Sequence, residues 1–291
     1  MKRGKYSLVI FLLPSLLFLS IFTYYPIFYS FYLSLTRFDM LTPKPIFQGF
    51  KNYITFFQDP IFWQVILNNV IYGLLTIFPT MFIALILAIL IDETKKFKTF
   101  FRLGLFYPLL IPYAAAAMVW VFMYDPSLGI INKFLRLLRL PEHGWLGDPR
   151  YSLLSIIIMT IWKNVGYYML IYLAGLQNIP TNLYEAVKIE GAGWFKTHYY
   201  ITFPLVGPIT LFIFVISIIQ SFKVFTSVYL MTEGGPGYSS NVLIYYTYEY
   251  AFKFWQIGKA AALTSIMILT LLFLVSIVFG LFGKRITYSV M

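Results

Sequence analysis

The chain contains no cysteine and few charged residues, and both shortages narrow its possible chemistry. Without cysteine it can form neither a disulfide framework nor a thiolate metal site. Only 11% of its 291 residues are charged, whereas 60% are hydrophobic and 21% are aromatic. A soluble domain of this length does not need that much apolar surface. The composition therefore indicates a membrane protein.

Residues suited to catalysis are also scarce. His143 and His198 are the only histidines, and the predicted topology places them on opposite sides of a membrane. The sequence has no H-E-x-x-H, G-x-S-x-G or Walker A motif. We therefore expect no catalytic residue, no metal and no cofactor. The net charge of +11 is typical of basic loops facing anionic headgroups, so nucleic acid is not an expected partner.

Six long apolar runs predict six transmembrane helices. A helix needs about 20 residues to cross a hydrocarbon core of about 30 Å. We expect an all-α protein with a single transmembrane domain over residues 1–291. Its predicted spans are 6–35, 63–91, 103–124, 151–176, 204–231 and 260–282.

The distribution of basic residues predicts the orientation of these spans. An even number of spans leaves both termini on one side, and basic residues favour the cytoplasm. The residues that support a cytoplasmic placement of both termini and of the loop 92–102 are Lys2, Arg3, Lys5, Lys95, Lys96, Lys98, Arg102, Lys284 and Arg285.

Polar residues recur at helical spacing inside two predicted spans. The fourth span contains Thr160, Lys163, Asn164 and Tyr167, and the fifth contains Ser217, Gln220 and Ser221. Such residues inside a membrane face a cavity or a partner, since a charge at the bilayer centre costs at least about 2.5–3.5 kcal/mol. Hydroxyl, amide and aromatic groups together suit a sugar. An alternative is that these groups hydrogen-bond between helices.

The loop 180–204, between the fourth and fifth predicted spans, contains two short helices by its pattern. Asn182 followed by Glu185 is typical of a helix start. Gly191 and Gly193 interrupt the pattern, and a second helix is predicted from Trp194 to Ile201.

This loop resembles the EAA loop of ABC-importer permeases. The resemblance lies in Glu185-Ala186-Val187, Glu190-Gly191-Ala192, Ile201 and Pro204, with Val187, Glu190 and Phe203 departing from the family pattern. Residues 229–252 and 101–132 are similar to the carbohydrate (MalF-like) branch of that family, so the likeness covers nearly the whole chain from the second span onward.

The resemblance implies a type I ABC importer permease in a prokaryotic inner membrane. Its partners would be a second permease in a heterodimer, two copies of a cytoplasmic ABC ATPase and an extracytoplasmic solute-binding protein. The ATPase subunits would hydrolyse ATP, and the polar faces of the fourth and fifth spans would contact the substrate. The residues expected to couple to the ATPase are Glu185, Ala186, Glu190, Gly191, Ala192, Trp194, Phe195, Lys196 and Thr197.

The expected function is therefore import of a sugar or oligosaccharide by alternating access. The lysines leave open a glycerol 3-phosphate or related sugar phosphate as cargo of the same importer class. An ion-coupled secondary transporter is the alternative from another class. It would typically place acidic residues inside its spans, whereas the carboxylates of this chain fall in loops or at span ends.

Overall fold

The computed structural model describes residues 3–40, 44–94 and 97–282. Several basic residues that support the predicted orientation lie outside these ranges, namely Lys2, Lys95, Lys96, Lys284 and Arg285. The cytoplasmic placement of both termini therefore stays a prediction.

Most of the described chain is helical. The helices, numbered in chain order, are α1 Arg3–Leu19, α2 Tyr25–Ser34, α3 Lys51–Gln58, α4 Pro60–Glu93, α5 Lys98–Leu110, α6 Tyr113–Met123, α7 Ile130–Leu137, α8 Ser152–Leu176, α9 Thr181–Ile189, α10 Trp194–Thr197, α11 Phe203–Leu205, α12 Gly207–Ser221, α13 Thr226–Met231, α14 Leu243–Tyr248 and α15 Ile257–Phe282. Short π-helical segments are Ser20–Tyr24, His198–Thr202 and Glu249–Lys253. One antiparallel pair of two-residue strands, β1 Thr36–Arg37 and β2 Ile46–Phe47, departs from the all-α expectation.

Between four and six helical segments of the described chain can cross a membrane. Phe11–Ser34, α4, α8 and α15 are each long and apolar enough. Two further segments qualify only as bent pairs: α5 with α6, bent by 95°, and Trp194–Leu205 with α12, bent by 65°. The predicted count of six spans is reached when each bent pair is one span.

Pro112 causes the break between α5 and α6. A proline disfavours helical backbone in the residue before it, and Ile111 is extended, with φ −71° and ψ 128°. Pro79 and Pro108, in contrast, lie inside helices α4 and α5. The predicted span 103–124 is therefore two helices at nearly a right angle.

The predicted span 204–231 is also not one helix. Helix α12 begins at Gly207, with Pro208 in its first turn, and ends at Ser221. Residues 222–225 separate it from α13.

The loop 180–204 forms two short helices that begin close to the predicted positions. The second was predicted to reach Ile201, but α10 ends at Thr197 and the π-helical segment His198–Thr202 follows it. The expected cap at Asn182 is wrong: α9 starts one residue earlier, after Pro180, and no side chain caps its N-terminus. Gly191 has a left-handed backbone (φ +77°), which glycine adopts without a steric penalty. Gly193 has an ordinary φ of −72°.

The chain divides into two compact units. Among the described residues, those up to Trp63 together with Tyr246–Thr270 form one, and those of Gln64–Tyr245 together with 271–282 form the other. The second unit has a closely packed apolar core that includes Ala84, Met169 and Ile213, all fully buried. Close packing holds such a core together in a membrane, where lipid is as apolar as the side chains. This unit contains both groups of predicted site residues.

Candidate functional site

A cavity of about 420 Å³ lies among the helices of the second unit. Its walls come from α4, α8 and α12, from the residues on either side of the break between α5 and α6, and from the segment that follows α12 into the start of α13. Hydroxyl, amide and aromatic side chains predominate in its lining. The polar and aromatic residues are Tyr72, Thr76, Thr80, Tyr113, Thr160, Asn164, Tyr167, Tyr168, Ser217, Gln220, Ser221, Lys223, Phe225, Thr226 and Ser227.

Helix α8 contributes three of its four predicted residues, Thr160, Asn164 and Tyr167. Tyr72 Oη donates to Thr160 Oγ1 at 3.1 Å, and Tyr113 Oη donates to Asn164 Oδ1 at 3.1 Å. The amide nitrogen of Asn164 has no hydrogen-bond partner within the described part of the chain. It is therefore a donor available to a ligand.

Helix α12 contributes all three of its predicted residues, Ser217, Gln220 and Ser221. Ser221 Oγ is already used, since it donates to the Ile218 carbonyl at 2.8 Å. Gln220 is exposed, and its side chain makes no hydrogen bond to any residue that the structure describes. An amide supplies both donors and an acceptor, as a sugar hydroxyl requires.

The sequence analysis missed the contribution of α4. Tyr72, Thr76 and Thr80 line the same cavity. They are four residues apart, so they share one face of the helix. The periodicity that identified the residues of α8 could have identified these three as well.

Lys163 is the one predicted substrate residue that does not line the cavity. Its Nζ donates to the carbonyls of Pro108 at 2.9 Å and Ile111 at 2.5 Å, at the end of α5. The residue is only 1% exposed. Its ammonium lies 4.6 Å from the centre of the Tyr113 ring. Helix geometry explains the difference, because a residue three positions after Thr160 lies about 60° to one side of it.

Lys223 is a cavity residue that was not predicted as one. It lies between α12 and α13, where the chain leaves the helix. It is the only residue with a formal charge among the described residues that line the cavity. Its ammonium has no hydrogen-bond or ion-pair partner in the described ranges.

Most residues predicted to couple to an ATPase are exposed. Seven of the nine are exposed: Glu185, Ala186, Glu190, Gly191, Trp194, Phe195 and Lys196. Ala192 and Thr197 are half-buried. Ile189, which was not predicted, is 87% exposed, and Phe195 is 82% exposed. Large apolar side chains so exposed in a polar loop are typical of a protein interface.

The opposite face of these short helices packs on the core of the second unit. Leu183, Tyr184, Ile201 and Leu205 make this contact. Burial raises the pKa of the Tyr184 phenol, its hydrogen bond to Thr202 lowers it, and the nearby carboxylates raise it further. Tyr184 is therefore a neutral hydrogen-bond donor at physiological pH.

Residues 6–288 match the family described as "Binding-protein-dependent transport system inner membrane component". The chain is 37% identical to the probable ABC transporter permease protein YurN of Bacillus subtilis, over 93% of this chain and 94% of the relative. It is 30% identical to the sn-glycerol-3-phosphate transport system permease protein UgpA of Rhizobium meliloti, over 95% and 94%. It is also 30% identical to the trehalose/maltose transport system permease protein MalF of Thermococcus litoralis, over 91% and 88%.

The fold is similar to that of a solved structure. A chain from a bacterial ABC transporter involved in the import of the acidic polysaccharide alginate superposes with a TM-score of 0.84. The identity is 24%, and the match covers 98% of this chain and 97% of that one. Because the family match and the three relatives each extend over most of the sequence, the chain belongs to the family of binding-protein-dependent transport system inner membrane components and is a permease subunit of an ABC importer.

Proposed function

We propose that this permease imports a sugar or an oligosaccharide and that the cavity among α4, α8 and α12 is its substrate site. The observation that supports this most is the lining itself, in which the available amide nitrogen of Asn164 on α8 and the amide of Gln220 on α12 lie beside hydroxyls and tyrosine rings. Amides and hydroxyls bond sugar hydroxyls, and an aromatic ring covers the apolar face of a pyranose. A trehalose/maltose permease among the relatives supports the same cargo class.

The proposed importer contains several further subunits. This chain, with both termini in the cytoplasm, pairs with a second permease, and two cytoplasmic ABC ATPases bind to the pair. An extracytoplasmic solute-binding protein delivers the sugar. Closure of the ATPases on ATP displaces α9 and α10 and opens the cavity outward, and hydrolysis returns it to the inward-open state. This chain itself has no ATPase activity.

Ile189 and Phe195 are the proposed apolar contacts of the ATPase. Both project from the short helices on the face opposite the core. The left-handed turn at Gly191 separates the two helices. The predicted coupling residues Glu185, Glu190 and Lys196, being exposed, surround these contacts with charge. An apolar centre with a charged rim is the usual composition of a specific protein interface.

The docking proposal is tested by gentle purification and mass spectrometry of the co-purifying subunits. We expect the wild-type chain to retain a P-loop ATPase and a second permease. Phe195→Ser and Ile189→Ser should lose the ATPase but keep the second permease. Leu137→Ser is the matched control, because Leu137 is 78% exposed but lies in α7, outside the loop. A chain that purifies alone and whose sugar transport is driven by an ion gradient would contradict the proposal and favour the secondary transporter.

The substrate site is tested by uptake into proteoliposomes that contain the complete importer and its binding protein. Gln220→Ala and Asn164→Ala should each lower sugar uptake about tenfold, as expected for the loss of one or two hydrogen bonds at about 1 kcal/mol each. Gln177→Ala is the control, since Gln177 is an exposed amide at the end of α8, away from the cavity. Unchanged uptake by both cavity variants would contradict the site.

A second cargo, an anionic sugar such as a sugar phosphate, is favoured by one observation. Lys223 places an unpaired ammonium at a cavity that has no carboxylate among its described lining residues. An sn-glycerol-3-phosphate permease is among the relatives. Competition between a neutral disaccharide and a sugar phosphate for uptake distinguishes the two cargo classes.

A further inference from the structure

The end of helix α4 is joined to the coupling helices by a cluster of hydrogen bonds. Trp194 Nε1 donates to both carboxylate oxygens of Glu93, at 2.9 and 3.1 Å. His198 Nε2 lies 3.1 Å from Glu93 Oε1. Trp194 and His198 are four residues apart on one helical stretch, so both rings face the same carboxylate. We call this cluster, with Thr202 and Tyr184, the Glu93 junction.

The other side of the His198 ring extends the junction to the first coupling helix. His198 Nδ1 lies 2.8 Å from Thr202 Oγ1, and Tyr184 Oη lies 3.1 Å from the same oxygen. A carboxylate only accepts, so Nε2 of His198 is the protonated nitrogen in the neutral ring. When the ring is neutral, Nδ1 accepts from the Thr202 hydroxyl, whose oxygen is then the acceptor for Tyr184 Oη. In that arrangement the hydrogen bonds run from Tyr184 through Thr202 and His198 to Glu93.

The junction is well defined although Glu93 is the last residue of α4. The Glu93 side chain is 48% exposed, whereas that of His198 is 9% exposed and Thr202 is fully buried. The Trp194 and His198 rings also pack edge to face, with centres 4.3 Å apart. A charge-assisted hydrogen bond is stronger than a neutral one. The half-exposed carboxylate therefore has two ring donors on the coupling-helix side, one of them from a buried histidine.

Helix α4 connects this junction to the cavity. It continues from Glu93 back to Tyr72 without a break, and Tyr72, Thr76 and Thr80 line the cavity. Thr80 lies 13 residues before Glu93, a distance of about 20 Å along a helix. The covalent route from α10 to the cavity, in contrast, passes through the 65° bend before α12.

We propose that Glu93 and His198 are positioning residues that transmit movement of the coupling helices to α4, and through α4 to the wall of the substrate cavity. This inference rests on the proposed function, since it assumes that an ATPase moves α9 and α10. Neither residue contacts the ATPase surface or the cargo in this mechanism. Replacement of either residue lowers the number of sugar molecules imported per ATP hydrolysed.

The test compares sugar uptake with ATP hydrolysis in the reconstituted wild-type and variant importers. Glu93→Ala and His198→Phe should keep the ATPase subunit and its basal hydrolysis. The number of sugar molecules imported per ATP should fall about tenfold, within the usual range for coupling between two sites. Phenylalanine keeps a ring beside Trp194 but has no nitrogen for Glu93 or Thr202. Glu93→Gln keeps an acceptor for both rings and should restore at least half of the wild-type ratio.

Asp92→Asn is the matched control. Asp92 is the neighbouring carboxylate at the same helix end, and it pairs with Lys98 at 2.8 Å rather than with the coupling helices. Its variant should keep the wild-type ratio. A wild-type ratio in both Glu93→Ala and His198→Phe would overturn the inference, and so would loss of the ATPase from either variant, because the junction would then only shape the docking surface. If the wild-type chain binds no ATPase, the proposed function fails instead, before any variant is compared.

Discussion

Two helix breaks in the second unit each have a lysine beside them, and the two lysines have opposite surroundings. At the break between α5 and α6, Lys163 from α8 is 1% exposed and donates to the carbonyls of Pro108, Leu109 and Ile111. At the break between α12 and α13, Lys223 is exposed to the cavity and has no partner among the described residues. We call the first the closed break, because the Lys163 ammonium bonds the carbonyls there. We call the second the open break, because the Lys223 ammonium remains available to a ligand.

This difference shows why a buried charge in a span is weak support for substrate contact. The last carbonyls of a helix have no partner inside the helix, and α5 ends at Leu110, with Pro108 buried in its last turn. An ammonium offers three donors and is favoured at the negative end of a helix. Lys163 therefore stabilises a bend in the backbone. The Lys223 ammonium bonds no carbonyl among the described residues, so Lys223 is the better candidate for contact with an anionic cargo.

Removal of the ammonium at the closed break should have the largest effect. Lys163→Met retains most of the side-chain volume but leaves the Pro108 and Ile111 carbonyls without their donor. Buried acceptors without partners cost about 1–3 kcal/mol each, so we expect a loss of about 3 kcal/mol of stability. Thermal unfolding in detergent measures this loss. A variant as stable as the wild type that transports a changed range of sugars would return Lys163 to the substrate site.

The next largest loss of stability is expected at Gly166, where α8 approaches α5 closely. A Cβ atom on Gly166 would overlap the Leu105 carbonyl, which is backbone and cannot rotate away. Gly166→Ala should therefore destabilise the protein by about 2 kcal/mol, as overpacking usually does. Gly104→Ala is the control, because a Cβ there meets nothing within 4 Å. Equal melting temperatures for the two variants would show that the two helices can separate at no cost.

Neutralisation of the lysine at the open break should change transport rather than stability. Lys223→Gln should stay within about 0.5 kcal/mol of the wild type in stability, as is usual for an exposed side chain. If the cargo is anionic, its uptake should fall about tenfold, or 1.4 kcal/mol, relative to that of a neutral sugar. Lys223→Arg should keep the preference. Equal effects of the Gln variant on anionic and neutral cargo would exclude a charge contact.

The smallest effect is expected at Tyr113, which begins α6 at the closed break and also lines the cavity. Tyr113→Phe keeps the ring 4.6 Å from the Lys163 ammonium but loses the hydrogen bond to Asn164. We expect a loss of about 1 kcal/mol of stability, the usual contribution of one hydrogen bond. A double-mutant cycle with Asn164→Ala isolates the pair. If the effects of the two substitutions on stability are additive, the hydrogen bond contributes nothing measurable.

Helical periodicity in the sequence picked out six of the residues that line the cavity. Thr160, Asn164 and Tyr167 share one face of α8, and Ser217, Gln220 and Ser221 share one face of α12, and all six line the cavity. The same rule applies to Tyr72, Thr76 and Thr80, which share one face of α4. Lys163 has the same helical spacing but bonds the carbonyls of Pro108 and Ile111 instead of lining the cavity. Spacing gives the direction of a side chain but does not identify the neighbour that it contacts.

The sequence by itself determined the membrane class, the apolar segments, the two short helices of the loop 180–204 and the family resemblance. These follow from composition, from short-range turn chemistry and from a local motif, all of which act within a few residues. Only the tertiary structure decided that two predicted spans are broken, that Lys163 closes one break while Lys223 lies open at the other, and that Glu93 meets His198 across 105 positions of sequence. Those features depend on which distant backbone carbonyls and side chains come together, and no local pattern contains that information.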